Sequence, residues 1–222
     1  FGGDSNNYFA PPSPNGRFLG RRIESFLART LDFVHGDHAN MWMLDQAERS
    51  VVMIKDPTRP YVILVDAVRR NAGSVTFEEL FHSGGPASGA GTASSPMVIS
   101  ASGQTLRSTW LSPAGITVVP GTAATASGSS VNYWRHKVTK SGSAVGFVSV
   151  HARDPVTSVA ALPVPDSNTS GGIVTWSYAV DRILARTGPG TLIGDSLTSS
   201  DGSFVWIRKQ QNVLTEWAAA EA

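Results

Sequence analysis

The feature that most constrains this chain is a recurrence. From Phe18 to Arg208, segments rich in β-branched and aromatic residues return about every ten residues, each closed by turn residues. The first are Arg21–Arg29, Thr30–Val34 (broken at Gly36-Asp37), Ala39–Leu44, Ser50–Lys55, Tyr61–Val68 and Thr76–His82. After a Ser/Gly-rich tract at 83–92 come Met97–Ala101, Thr105–Leu111 and Ile116–Val119. After a second such tract at 121–130 come Val131–Val138, Ala144–Ala152, Ile173–Val180, Arg182–Arg186 and Ser203–Arg208. This spacing belongs to antiparallel sandwiches and barrels, and the lack of βαβ alternation argues against a parallel α/β fold. Only Val213–Glu221, VLTEWAAAE, reads as helical. The expected fold is therefore all-β. A large antiparallel β-sandwich spans 18–212, an irregular segment rich in Gly, Pro, Asn and Ser occupies 1–17, and a short C-terminal helix forms the tail 213–222.

One hairpin can be registered from sequence. Asp56-Pro57-Thr58-Arg59 reads as a four-residue loop with Pro at the second position of its turn. That sets Lys55 opposite Pro60, Ile54 opposite Tyr61, Val52 opposite Ile63, Val51 opposite Leu64 and Arg49 opposite Asp66. Both faces are apolar, with Val51, Met53, Val62 and Leu64 on one and Val52, Ile54, Tyr61, Ile63 and Val65 on the other. Such a hairpin is expected to be covered on both sides. Arg49 and Asp66 then form a cross-strand pair that fixes register.

Composition removes several classes of function. The 222 residues include no cysteine, which excludes disulfides, thiolate metal sites and cysteine nucleophiles. Lys and Arg number 18 against 17 Asp and Glu, a net charge of +1, so electrostatics offers no case for nucleic acid or a membrane surface. No apolar run approaches the ~18 residues of a membrane-spanning helix. Charged residues make up only 16% of a chain rich in Ser and Thr, which fits a periplasmic or secreted protein. The Gly84–Gly91 tract lacks both the dinucleotide and the P-loop patterns, and no cofactor is expected.

The chemical motifs are sparse. Gly194-Asp195-Ser196-Leu197 resembles the nucleophile block of the GDSL esterases, but no histidine follows Ser196, and a serine without a base is a poor nucleophile. His35-Gly36-Asp37-His38 gathers metal-ligand types. Positions i and i+3 of a strand face opposite ways, however, and Gly-Asp signals a turn, so an exposed loop with two solvated histidines is expected and no metal site. His82 ends a strand beside the glycine tract; a hydrogen-bonded structural histidine is the first reading and a substrate contact the functional one, while His136 and His151 sit inside strand patterns. The six tryptophans, Trp42, Trp110, Trp134, Trp176, Trp206 and Trp217, suit core packing better than sugar platforms.

From Gly20 to Ser83 the order of elements resembles the β-sandwich region of heparinase II/III-like polysaccharide lyases. Val34-His35-Gly36-Asp37 leads to the Arg-led strand Arg49-Ser50-Val51-Val52-Met53-Ile54. Pro60-Tyr61-Val62-Ile63-Leu64-Val65-Asp66 follows, and then Leu80-Phe81-His82. The resemblance implies a helical toroid upstream of the sandwich, an acidic polysaccharide as partner, and β-elimination on uronic-acid units. Gly36, Asp37, Arg49 and Asp66 are structural in this reading and His82 a substrate contact. The relatives' catalytic groups map onto no residue of this chain, so little activity is expected of it alone, and a homodimer would cover the face that a toroid leaves. The rival reading is a stand-alone carbohydrate-binding or assembly module, and a serine esterase survives only if a histidine outside these residues completes the site.

Overall fold

The computed structural model describes residues 21–39, 44–71, 73–119, 121, 123–125, 132–153, 158–162, 169–188, 192–193, 198–199 and 202–221. In chain order the strands begin with β1 (Arg21–Leu27), β2 (Leu31–Asp37), β3 (Gln46–Ile54), β4 (Tyr61–Arg69) and β5 (Val75–Ser83). Next come β6 (Ala87–Ser88), β7 (Met97–Ala101), β8 (Gln104–Ser112), β9 (Thr117–Val119), β10 (Ala123–Thr125), β11 (Asn132–Gly142) and β12 (Ala144–Arg153). The last are β13 (Ser158–Leu162), β14 (Thr169–Thr175), β15 (Val180–Arg186), β16 (Leu192–Ile193), β17 (Thr198–Ser199), β18 (Gly202–Gln210) and β19 (Val213–Glu221).

The pairings among these strands build an antiparallel β-sandwich with an added layer. An eight-stranded central sheet runs β1-β2-β3-β4-β12-β8-β7-β6, so β12 joins an N-terminal meander to a second one. A five-stranded meander, β13-β14-β15-β18-β19, packs on one face. Leu31, Phe33, Val52, Ile54, Ile63, Val148 and Val150 of the central sheet meet Val174, Ile183, Phe204 and Trp206 of the meander in the main core. Each such large side chain stabilises by roughly 1.5–3 kcal/mol through burial. A smaller sheet, β10-β11-β5 with β9 also on β11, covers part of the opposite face. There Phe77 and Val138 pack on Val68, Met97, Trp110, Val145 and Phe147. The two corners where the chain changes layer are tied by the Arg70 N–H to the Ser143 carbonyl, 2.8 Å.

The hairpin register is as the sequence reads: Arg49 faces Asp66, Val52 faces Ile63 and Ile54 faces Tyr61. The loop holds because Asp56 Oδ1 accepts from the Thr58 and Arg59 N–H groups, both at 2.9 Å. Arg208 locks that loop to the five-stranded sheet. Its guanidinium, buried at 4% exposure, donates to Asp56 at 2.7 Å and forks onto Asp181 at 2.7 Å twice. Tyr61 Oη also donates to Asp181, 2.8 Å, and receives the Trp206 indole N–H at 3.0 Å.

Several expectations are corrected. Val213–Glu221 is strand β19 and not a helix, paired with β18 through Gln211 and Asn212, both at positive φ. Its alanines have helix propensity, but Ala220 fills the core beside Phe204 and the free edge of β18 decides the conformation. Gly36-Asp37 is no turn: β2 continues through both, paired with Arg49 and Glu48. His35 is accordingly buried and not solvated. The predicted strand Ile173–Val180 is split by a turn, with the Trp176 N–H bonded to the Ala179 carbonyl. The hairpin is covered fully on one face only, since Val51 and Met53 are 36% and 38% exposed. The irregular segment 1–17, most of Ala39–Leu44, Trp42 and Gly194–Leu197 with Ser196 lie outside the described residues.

Candidate functional site

Alternation along β3 and β4 turns Arg49 and Asp66 away from the main core, toward the partial third layer. Arg49 Nε donates to Asp66 Oδ1 at 2.5 Å and its Nη2 to Oδ2 at 2.8 Å, a bidentate pair. From the covering sheet, Glu79 of β5 reaches the same point, 3.5 Å from Arg49 Nη2, and its other oxygen accepts the Trp110 indole N–H at 2.8 Å. Asp66 and Glu79 are 1% and 2% exposed, whereas the Arg49 side chain is 28% exposed. The guanidinium is thus the outward edge of a buried carboxyl pair.

Two like charges this close in a dry place do not both ionise. Burial, then the neighbouring Asp66 charge, push the Glu79 carboxyl up to about 8, against the pull of Arg49 and Trp110. The pair therefore holds a proton at neutral pH. Burial also opposes the Arg49 charge, but the Asp66 hydrogen bonds outweigh it and raise its pKa.

His151 lies alongside, edge-on to Trp110 at 5.8 Å and against Phe81 at 5.3 Å between ring centres. Its nitrogens bond Ser108 Oγ and Ser149 Oγ, both at 2.8 Å. Burial, with the Arg49 charge second, lowers it to about 3, so it is neutral and no base at physiological pH. Two more histidines bond a serine: His35 Nδ1 with Ser50 and His136 Nε2 with Ser83, each 2.8 Å. His136 Nδ1 accepts the Gly121 N–H at 3.0 Å, which places its proton on Nε2. Among the described residues no carboxylate completes a hydrolase triad at any of the three.

The residues singled out in sequence fall in different places. Arg49 and Asp66 meet in the cluster, and Gly36 stands opposite Arg49 on β2. Asp37 Oδ1 accepts the Ala39 N–H at 2.8 Å. His82 is exposed on the face of β5 opposite Glu79 and Phe81, across from Arg135 of β11. No group of three metal-ligating side chains forms among the described residues. Sequence reasoning passed over Glu79, read Trp110 as core packing and gave His151 no partner. The signal for Glu79 was its place between Phe77 and Phe81 on an otherwise apolar inward face.

No family model and no curated protein matches the sequence. The fold does find matches. Heparan sulfate lyase HepC from Pedobacter heparinus, wild type and a mutant, superposes with a TM-score of 0.53 at 13% identity, over 78% of this chain. The sandwich shares its fold with part of that lyase. This chain spans only 27% of the length of that lyase, so the likeness concerns one region of it. A heparinase III also overlaps, at a TM-score of 0.48 and 10% identity, over 86% of this chain and 27% of that one.

Proposed function

We propose that the chain is the β-sandwich portion of a heparinase-like polysaccharide lyase acting on uronic-acid polysaccharides, with the catalytic groups in a helical portion outside it. The observation that carries this reading is the overlap of most of this chain with about a quarter of a heparan sulfate lyase. Elimination needs a base, an acid and a group that neutralises the carboxylate, all reaching one substrate. The described residues fit a supporting part: His151 is buried and neutral, and the Asp66–Glu79 pair is sealed behind Arg49. The exposed Val34, Val51 and Met53, on the central-sheet face that the third layer leaves open, would seat the helical portion. A polysaccharide substrate of this size implies a periplasmic or secreted protein.

The test compares the chain alone with the chain joined to, or co-expressed with, the helical portion of a heparinase-like lyase. Release of unsaturated uronate from acidic polysaccharides is followed by absorbance. Activity is expected only with both parts present. Steady activity from the chain alone that disappears in His82→Ala would overturn the reading.

A further inference from the structure

On the face of β3 and β4 opposite Arg49, the sandwich opens into a cleft of about 410 Å³. Its floor is laid out by strand register. His35, Ser50 and Val65 form one row across β2, β3 and β4, Glu48 and Ala67 the next, and Gln46 and Arg69 the last. Rows on one face are about 7 Å apart, so the floor runs about 14 Å. The far wall is the end of β15, Arg186, and the turn after it, Thr187, with Ser203 from the start of β18. Thr187 occupies the space where a side chain on Gly146 of β12 would stand, which presses that wall onto the central sheet.

The lining has a definite chemistry. Arg69 and Arg186 supply guanidinium forks that match a carboxylate. Asp45 and Glu48 supply an equal formal charge of opposite sign. Both acids are held in place: Asp45 Oδ2 accepts the Asn71 N–H at 2.5 Å and Glu48 Oε2 accepts from Gln46 Nε2 at 3.0 Å. Arg186 also interacts within the protein. Burial lowers the pKa of His35 against the pull of Glu48, Glu24 and Asp37, so the floor offers a neutral imidazole bonded to Ser50. Seryl and threonyl hydroxyls and the Glu48 carboxylate provide the mixed donors and acceptors that ring hydroxyls require, over an apolar strip of Val65 and Ala67. The volume is at the small end of ligand pockets.

We propose that this cleft binds a uronate unit of an unsulfated acidic glycan, its carboxylate between Arg69 and Arg186 and its hydroxyls against Glu48, Ser50 and His35. The choice of glycan rests on the lyase reading, whereas the site and its charge rule rest on the lining alone. Two guanidinium groups balanced by two carboxylates accept one extra negative charge at the arginine wall. A sulfate ester on the same or the next ring would meet Asp45 or Glu48 and be repelled.

Titration calorimetry with three tetrasaccharides tests this. Hyaluronan carries carboxylate alone, heparin carries carboxylate and sulfate, and cellotetraose carries neither. The hyaluronan tetrasaccharide is expected to bind with a millimolar Kd, and the other two at least tenfold more weakly. Arg69→Ala and Arg186→Ala should each weaken hyaluronan binding about tenfold, while Lys137→Ala on the third layer leaves it unchanged. Melting curves confirm folding, and exposed Arg69 carries the test if Arg186→Ala does not fold. Equal binding of all three, tightest binding of heparin, no binding of hyaluronan at millimolar concentration, or indifference to Arg69→Ala would each overturn the proposal. A lyase assembly active on acidic glycans yet indifferent to both arginines would sink the cleft and leave the lyase reading standing. Hyaluronan binding lost in both variants, with no elimination from any assembly, would do the reverse.

Discussion

Glu79 keeps its proton to about 8 in the folded chain, while in the unfolded chain it ionises at its ordinary value of 4.5. Between these values the native state binds the extra proton, so stability falls as pH rises, by at most about 1.4 kcal/mol per unit. His151 acts in the other direction. Held down to about 3, it stays neutral where an unfolded imidazole of pKa 6.5 takes up a proton, so stability is lost as pH falls through that interval. The two slopes oppose each other in the middle, and the melting temperature is expected to decline on both the acid and the alkaline side. Glu79→Gln keeps an acceptor for Trp110 and gives Asp66 a permanent donor, so it should abolish the alkaline decline and retain the acid one. Circular dichroism melts across the pH range check this, and an unchanged alkaline decline in the variant refutes it. Arg49 and Asp66 were legible in the sequence because one turn registers both. Glu79, Trp110 and His151 were not, because β5, β8 and β12 bring them together from distant parts of the chain and local pattern says nothing of which layer covers which.

Strands with their own turn chemistry read well, as β3 and β4 do, where Asp56 and Pro57 set the loop. β19 did not, because its Ala-rich sequence favours a helix and only the edge of β18 makes it a strand. Ala219, exposed and opposite Val205, separates the two conformations. Ala219→Thr should stabilise the protein by up to about 1 kcal/mol in a strand, where a helix would be weakened. A lower denaturation midpoint would contradict the strand. Between elements, Arg208 joins the β3–β4 loop to β15 and β18. Arg208→Met strands Asp181 and Asp56 without their counter-charge and should cost about 3–5 kcal/mol, measured by urea denaturation.

For the whole molecule, the sequence announced strands and a sandwich but not that its largest sheet would be the middle one of three layers. Apolar residues on both faces of the hairpin implied two covers, and the second stops short of Val34, Val51 and Met53. Met53→Gln should therefore change stability by less than about 0.5 kcal/mol, whereas buried Val52→Ala costs more than about 1 kcal/mol. Equal losses in denaturant would show that the open face is covered in solution. The place of β12 between β4 and β8 has a consequence for the ribosome. β4 emerges with one edge unpaired and must wait about eighty residues for its partner, roughly 4–16 s at ordinary elongation rates. Through that interval the apolar edge of Tyr61, Ile63 and Val65 is open to other nascent chains. Slowing translation just before β12 should raise the yield of aggregate, and slowing it after Arg153 should not.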